Sequence, residues 1–280
     1  MATLRILFTR LRLEEKMLLA AAKRENIPCE LMDVSDVWYG EKPFCSQDDV
    51  VLSRCVSHNM NEAVASVLEA QGIRVVNNSN VMKVCGDKLL TTLTLERAGI
   101  AQPRFRTAFT QEAALEAAED LGYPVVCKPV SGSWGRLLAK INDREAAEAI
   151  FEHKSALGPM HNIFYIQEFI DKGSFDVRAF VVDGNPLCAI RRESEHWITN
   201  TARGGKASNM PLDDEVSDLL RSVHKAIGGE FLAVDLFRNK DGKWLVNEVN
   251  DGGEFRNSVE PTGKDIPAEI VRAAWSKRPQ

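Results

Sequence analysis

The chain has 280 residues, of which 44% are hydrophobic and 27% charged, and a formal net charge of −5. This length exceeds the usual single-domain size of about 100–150 residues, so two or three packed units are expected. The acidic balance argues against a broad nucleic-acid-binding surface, and any positive patch has to be local. No apolar run reaches the roughly 20 residues that span a bilayer, and the start MATLRILFTR turns charged too early for a signal peptide.

The cysteines indicate a reduced protein without structural zinc. None of them has CxxC or Cys/His spacing, and each is interpreted as a small buried hydrophobe. They are Cys29, Cys45, Cys55, Cys85, Cys127 and Cys188. A cytoplasmic location with reduced thiols is therefore expected, with neither a membrane nor a nucleic acid as partner.

The first eighty residues alternate between strand and helix patterns. Residues 3–8 are apolar, 14–26 have helical periodicity, and 29–34 again form a short strand pattern. The cycle then repeats, with a strand at 50–56, a helix at 61–72 that stops at a glycine, and a strand at 73–78. This alternation predicts a parallel sheet in a small α/β domain over residues 1–83. No GxGxxG follows the first strand, so a dinucleotide site there lacks its glycine turn.

Two further units are expected after this domain. Residues 80–98 predict one helix, which Gly99 and Pro103 end. Helix, strand, Gly-rich loop and helix patterns then form a small α+β unit over residues 84–162. The remainder, residues 163–280, is rich in strands interrupted by a helix, and Asp241-Gly242 predicts a hairpin turn.

Three polar side chains of this hairpin suggest a metal site. Asp235 interrupts the apolar strand FLAVDLF, and Glu248 and Asn250 share one face of LVNEVN. Two carboxylates and an amide oxygen on a burial-prone face repel one another unless a cation lies between them. Such oxygen ligands suit Mg²⁺ with phosphate oxygens completing the shell. A solvated sheet face is the alternative.

Two lysines in apolar surroundings suggest an anion. Lys88 lies in CGDKLLT and Lys128 in VVCKPV, where a lysine needs an anion, a carboxylate or a route to solvent. Phosphate is one such anion. Gly132 and Gly135 follow Lys128 and permit a tight loop whose amides approach phosphates. An ordinary turn between strands is the alternative.

Further polar groups suit a nucleotide and an anionic substrate. The strand IFYIQEFI ends at Gln167 and Glu168, where backbone amides and a carboxylate suit an adenine edge, its amine or the ribose. Arginine forks match carboxylates and phosphates, so their density predicts an anionic substrate, with surface ion pairing as the alternative for any one of them. These arginines are Arg178, Arg191, Arg192, Arg203 and Arg256.

Taken in order, these motifs resemble the ATP-grasp superfamily over nearly the whole chain. They are GDK at 86–88, VVCKP at 125–129, SGSWGR, IQEFI, DVRAF, NTARGG, AVDLF and NEVN. The phrases SRCVS, GSWGRLLAK, HWITNTARGG and GKDIP resemble the LysX/ArgX-type ligases, which are related to RimK-type glutamate ligases. The resemblance implies an ATP-grasp fold, α/β and in part α+β. It implies a Rossmann-like pre-ATP-grasp domain at 1–83, a central small domain at 84–162, and a C-terminal domain at 163–280 with the magnesium and substrate site.

The resemblance also implies an activity. Ligases of this type attach the α-amino group of 2-aminoadipate or glutamate to the C-terminal glutamate side chain of a small acidic amino-group carrier protein, through an acyl phosphate, in lysine or arginine biosynthesis. Related enzymes form dimers or tetramers, so a homodimer or homotetramer is expected. A glutamate ligase for another protein tail or a pterin cofactor is an alternative, and a non-catalytic nucleotide-binding regulator is another.

Residue roles follow from the matching positions. ATP would be bound by Lys88, Lys128, Ser131, Gly132, Ser133, Trp134, Gly135, Arg136, Gln167, Glu168 and Asn247. Two magnesium ions would be bound by Asp235, Glu248 and Asn250. The acyl phosphate or amino acid would be bound by Arg178, Arg192, Asn200 and Arg203, with Arg256, Asn257 and Ser258 completing the amino-acid pocket.

Two points stay open at this stage. His196 is either a base or a residue that orders its loop. Asp251, Gly252 and Gly253 stand where the resembling enzymes carry bulkier residues. An added acid repels a second substrate carboxylate while glycines enlarge the space, so glutamate and 2-aminoadipate both remain candidate substrates.

Overall fold

The computed structural model describes residues 1–36, 38, 40, 45–132, 137–199 and 205–279. Its first sheet is parallel, in the order β2-β1-β3-β4. The elements are β1 (Leu4–Phe8), α1 (Leu13–Arg24), β2 (Cys29–Asp33), a 3₁₀ turn (Val34–Asp36), β3 (Val50–Ser53), α2 (His58–Ala70) and β4 (Arg74–Val76). The predicted alternation of strands and helices and the parallel sheet are confirmed.

The helical pattern at 80–98 is divided into two helices, α3 (Ser79–Gly86) and α4 (Lys88–Arg97). Asp87 between them has an extended backbone, and its carboxylate accepts hydrogen bonds from the backbone N–H groups of Leu89 and Leu90. The prediction of a single helix was wrong at Asp87 because a short acidic side chain caps a new helix there.

The second sheet has the order β5-β8-β6-β7, with antiparallel pairs. Its elements are β5 (Phe105–Ala108), α5 (Gln111–Leu121), β6 (Val125–Lys128), β7 (Ala139–Ile141), α6 (Arg144–Ala156), a 3₁₀ turn (Pro159–His161) and β8 (Phe164–Glu168). The two helices cover one face, where Phe151 packs edge-on against Phe164 with ring centroids 5.3 Å apart.

The third sheet is antiparallel, in the order β11-β10-β9-β12-β13. Its elements are β9 (Phe175–Val182), β10 (Asn185–Glu193), β11 (Lys206–Met210), α7 (Asp214–Ile227), β12 (Phe231–Arg238), β13 (Trp244–Asn250), α8 (Arg256–Thr262) and α9 (Ile266–Ser276). The hairpin turn at Asp241-Gly242 is confirmed, and Gly242 takes a positive φ of 81° there.

The first and third sheets share an apolar core. One cluster contains Leu18 of α1, Phe180 of β9 and Ile270 of α9, all of which are buried. α1 also packs directly against α9. The loops of the first sheet are therefore held against those of the third. Domain boundaries at residues 83 and 162 stay predictions.

The cysteines behave as the sequence predicted. All six thiols are free, and all are buried except the half-buried Cys29. Within the described ranges, no helix is long and apolar enough to cross a membrane.

Candidate active site

A cleft of about 500 Å³ opens where the three sheets meet. Residues of each sheet and its adjoining loops line it. They include Ser53, Arg54 and Cys55 of the first unit, Lys128, Gln167 and Glu168 of the second, and Arg178, Asp235 and Glu248 of the third. Most side chains predicted from the sequence to bind ATP or metal therefore meet in one place.

The predicted metal set lies on one end of the β12–β13 hairpin. Asp235 is directly opposite Glu248 in the register, and Asn250 lies two residues further along. All three line the cleft. Cross-strand neighbours project from the same face, so the two carboxylates and the amide face the cavity together.

Arginines neutralise the buried Asp235. Its two carboxylate oxygens each accept a hydrogen bond of 2.8 Å from Arg178, and Arg192 Nη2 lies 3.1 Å from one of them. Burial alone would raise the pKa of Asp235, but the two guanidinium groups outweigh it and hold the pKa at about 2. Asp235 is therefore a carboxylate throughout the neutral range.

Asp176 completes this network, and the sequence analysis missed it. Arg192 binds Asp176 with a second two-point contact of 2.7 and 2.9 Å, and Asp176 is buried. The alternation of β9 offered a signal, because Asp176 and Arg178 stand on the same face of the strand.

The two predicted phosphate lysines converge on the same hairpin. Lys128 Nζ donates to Asn247 Oδ1 at 2.9 Å, and Lys88 Nζ lies 3.2 Å from Glu248. Burial lowers the pKa of Lys128 to about 8, with Glu248 opposing this shift and Lys88 adding to it. Lys128 is thus a desolvated cation, and no carboxylate among the described residues forms a salt bridge with it. This environment favours an incoming phosphate.

The Gly-rich loop begins beside Lys88. Lys88 Nζ donates to the carbonyl of Gly132 at 2.7 Å, and Asp87 forms a bridge with Ser131. Ser131 and Gly132 both line the cleft. The remaining predicted loop residues, Ser133, Trp134, Gly135 and Arg136, lie outside the described residues, as do the predicted substrate-binding Asn200 and Arg203.

The predicted adenine residues line the cleft with their side chains already engaged. Gln167 is buried and donates to the Tyr165 hydroxyl. Both oxygens of Glu168 accept 2.8 Å hydrogen bonds from Arg104, one from its backbone and one from Nε. An adenine amine at Glu168 would therefore share this carboxylate with Arg104.

The structure does not bring the predicted residues at 256–258 to the cleft. Arg256 begins α8 and lies 3.7 Å from Glu14, Asn257 is exposed, and Ser258 is 1% exposed inside the packed helix. None of the three is among the described residues that line the cavity. Arg191 also points elsewhere, because it packs over the Phe175 ring and pairs with Glu193.

His196 has the contacts of a loop-ordering residue. Its Nδ1 accepts a 3.0 Å hydrogen bond from the backbone of Ile198, and its ring stacks on Trp197 with centroids 5.9 Å apart. The side chain is exposed and does not line the cleft.

The glycines after β13 serve close packing. A Cβ on Gly253 would lie 2.4 Å from the Ala233 Cβ, and one on Gly252 would lie 3.3 Å from Arg54 Nη1. The expectation that these glycines enlarge the substrate space was wrong at Gly253, because Ala233 already occupies that space. Burial raises the pKa of Asp251, and the nearby His58 and Arg54 oppose this rise.

The donor set fits magnesium. The described chain contains no cluster of three or more His, Cys, Asp or Glu residues suited to a metal, so any site here combines the two carboxylates with an amide oxygen. Asn250 lines the cleft with the two carboxylates, and its buried Nδ2 has no hydrogen-bond partner in the described ranges. Oxygen donors of this kind, with phosphate oxygens, are what Mg²⁺ prefers.

Comparisons with known proteins agree with this geometry. Residues 85–274 match the RimK-like ATP-grasp domain, and residues 4–84 match the LysX preATP-grasp domain. The chain belongs to the RimK-like ATP-grasp family. The ATP-grasp fold predicted from the sequence is thereby confirmed, together with its N-terminal preATP-grasp domain. The family uses ATP, and the chain is an ATP-dependent carbon–nitrogen ligase.

The ATP-grasp relatives cover nearly the whole chain. The alpha-aminoadipate–LysW ligase LysX of Saccharolobus solfataricus is 34% identical over 273 residues, which cover 95% of this chain and 99% of that protein. The glutamate–LysW ligase ArgX of Sulfolobus acidocaldarius is 31% identical over 93% of both chains. The crystal structure of a RimK domain ATP-grasp protein from Sphaerobacter thermophilus has a TM-score of 0.79 at 24% identity, covering 96% of this chain and 98% of that one.

Proposed function

We propose that this ligase activates the C-terminal glutamate side chain of a small acidic carrier protein and joins it to the α-amino group of 2-aminoadipate or glutamate. The observation that carries the chemistry is the meeting of Lys128, Arg178, Asp235 and Glu248 at one cleft, with Lys88 3.2 Å from Glu248. The choice of acceptor and amino acid is supported by the similarity to the LysX and ArgX ligases over at least 93% of this chain.

The reaction proceeds by way of an acyl phosphate. An oxygen of the acceptor carboxylate attacks the γ-phosphorus of ATP, and ADP leaves. The neutral amine then attacks the acyl carbon, phosphate leaves, and the nitrogen loses a proton to give the amide. Lys128 and Arg178 stand where they would neutralise charge on the phosphates and on the developing oxyanion. Positioning and charge neutralisation account for the chemistry.

Magnesium is part of the proposal, with Asp235, Glu248 and Asn250 as its ligands. Held by these three side chains, it would neutralise the charge of the ATP phosphates. A nucleophilic thiol is not needed. Burial raises the pKa of the cleft-lining Cys55 to about 11 and that of Cys85 well above its usual value, so both are neutral thiols at pH 7.

The test is ADP release with glutamate or 2-aminoadipate, with and without a small acidic carrier protein ending in glutamate. We expect ADP only when carrier and the correct amino acid are both present, and a carrier mass raised by one amino-acid residue. If no combination of carrier protein and amino acid leads to ADP release, the proposal is contradicted. A pterin is tested as an alternative acceptor in the same assay, because a tetrahydromethanopterin:alpha-L-glutamate ligase of Methanosarcina acetivorans is 33% identical over 73% of this chain.

A cytoplasmic location and a homodimeric or homotetrameric assembly belong to the same proposal. Light scattering of the purified protein tests the assembly.

A further inference from the structure

The first sheet has a topological switch point at the carboxyl ends of β1 and β3, and this point faces the cleft. In the order β2-β1-β3-β4, the chain leaves β1 toward one edge of the sheet and leaves β3 toward the other. Ligands of open parallel sheets bind at such a switch point. Arg12 follows β1, Arg54 follows β3, and both line the cleft.

Arg54 is a buried guanidinium with unused donors. It is 4% exposed, and its Nη1 donates to the carbonyl of Gly252 at 2.9 Å. Its Nε and Nη2 have no hydrogen-bond partner in the described part of the chain, although Glu15 lies 3.5 Å from Nε. Buried donors without partners cost free energy, and the planar fork of arginine matches a carboxylate.

The position of Arg54 relative to the reaction centre suits a substrate contact. Gly252 lies two residues beyond Asn250 of the proposed metal set, a span of at most about 7 Å. The hydrogen bond from Arg54 to Gly252 therefore anchors the guanidinium to the loop that leaves this set, and both Arg54 and the set line the same cleft. The missing side chain of Gly252 permits this approach, because a Cβ there would lie 3.3 Å from Nη1.

Burial also makes the charged form of Arg54 less favourable. Desolvation is the main cause that lowers its pKa, and the neighbouring Arg12 adds to this effect, while Glu15, Glu14 and Asp251 oppose it. A further anion at the two free donors would favour the charged form and relieve the cost of desolvation.

We propose that Arg54 binds a carboxylate of one of the two substrates that the ligase joins. The inference rests on the proposed function and adds a substrate-binding subsite contributed by the preATP-grasp domain. The carboxylate has two possible sources, the free amino acid that supplies the amine or the C-terminal α-carboxylate of the acceptor tail.

The first experiment compares Arg54→Lys with Arg5→Lys. The lysine keeps the charge at position 54 but loses the fork. Arg5 is a matched control, because it pairs with a buried carboxylate, that of Asp49 just before β3, but does not line the cleft. Arg54→Lys should raise KM for one substrate by about 10- to 100-fold, the range for a lost hydrogen bond to a charged group. The KM of Arg54→Lys for ATP and its thermal unfolding midpoint should be the same as those of Arg5→Lys.

The second experiment identifies the carboxylate from the substrate side. The amino acid is replaced by its α-carboxamide, and separately the acceptor by a form with an amidated C-terminus. For the substrate held by Arg54, the wild type should bind the amide more weakly than the carboxylate. Arg54→Lys should bind both forms about equally, because the variant and the amide remove the same contact. The inference would be overturned if the effects of the Arg54→Lys substitution and of amidation were additive for both substrates. It would also be overturned if wild type bound the amides as well as the carboxylates, a result that does not depend on how well the variant folds.

Calorimetry separates this inference from the proposed function. Glutamate, 2-aminoadipate and a peptide ending in glutamate are titrated into wild type and Arg54→Lys with a non-hydrolysable ATP analogue. A wild type that releases no ADP defeats the proposed function, while weaker binding of one ligand to Arg54→Lys still supports the subsite. Equal affinity of both proteins for all three ligands defeats the subsite alone.

Discussion

The side-chain nitrogen of Asn77 donates a 2.7 Å hydrogen bond to the backbone carbonyl of Asp251, which links the end of the first sheet to the loop after β13. The same nitrogen donates to the carbonyl of Phe231 at 2.7 Å, and Oδ1 accepts from the backbone of Glu230 at 2.7 Å. Asn77 is buried. Together with the hydrogen bond from Arg54 to Gly252, this amide therefore fixes the cleft-lining loop at 251–254 to the first sheet.

Asn77→Ala should destabilise the protein and weaken catalysis. We expect a loss of about 3 kcal/mol in the free energy of unfolding, because several buried backbone groups lose their partners. Asn78→Ala is the matched control. It removes one helix cap, in which Oδ1 accepts from Val81 at 2.9 Å, and should cost about 1 kcal/mol. Urea unfolding and kcat/KM are measured for both, and equal losses would contradict the linking role of Asn77.

Glu248→Gln should abolish most turnover while the fold persists. The change removes one proposed magnesium ligand and its 3.2 Å contact with Lys88, a partly exposed pair worth at most about 1 kcal/mol. ADP release is measured over a magnesium series, with Glu193→Gln as a control outside the cleft. If the ADP release of Glu248→Gln depended on magnesium concentration as that of the wild type does, Glu248 would not be a magnesium ligand.

Asp235 is a less clean test of the same site. Substituting it leaves the partly buried Arg178 without its carboxylate and the buried Arg192 with Asp176 alone, and breaking a buried pair of this kind costs about 3–5 kcal/mol in stability. A loss of activity in Asp235→Ala would therefore combine loss of the metal with damage to the fold.

KM for ATP should rise above about pH 8. Burial lowers the pKa of Lys128 to about 8, and only the protonated lysine attracts phosphate. In Lys128→Arg the guanidinium stays charged, so this inflection should disappear, even if the fork binds ATP less well than the point charge does. The measurement is KM for ATP from about pH 7 to about pH 9.5; the same inflection in both proteins would contradict the assignment.

Lys128 should also make stability depend on pH. The usual pKa of lysine is near 10.4, so between about pH 8 and this value the unfolded chain binds more protons than the folded one. The contribution of this group to the free energy of unfolding therefore rises with pH through that window. Urea unfolding of wild type and Lys128→Met should show this difference in slope.

KM for an acidic protein acceptor should rise with ionic strength. The chain is acidic as a whole, with a net charge of −5, while cations line its cleft. A focused positive site attracts an acidic tail over distances that salt screens, because the Debye length falls from about 10 Å at 0.1 M to about 3 Å at 1 M. KM for the free amino acid should change much less, because its contacts are short and desolvated. A flat acceptor response would favour a small neutral acceptor.

Local sequence patterns determined much of this protein. Periodicity sufficed for the strand and helix alternation of the first sheet and for the hairpin at Asp241-Gly242. The polar positions on that hairpin, Asp235 and Glu248, were recognisable because they interrupt strands that are otherwise apolar. These features depend on residues near one another in the chain.

Tertiary structure alone decided which distant groups meet. Arg54 and Gly252 are 198 residues apart in sequence, and Asn77 and Asp251 are 174 apart, so no local pattern relates them. Equally, Arg178 was expected to bind substrate, and the fold places it at the cleft but also pairs it with Asp235, whereas α8 turns Arg256 toward Glu14. Periodicity specifies which face a side chain occupies, whereas the packing of separate sheets around shared cores specifies what that face meets.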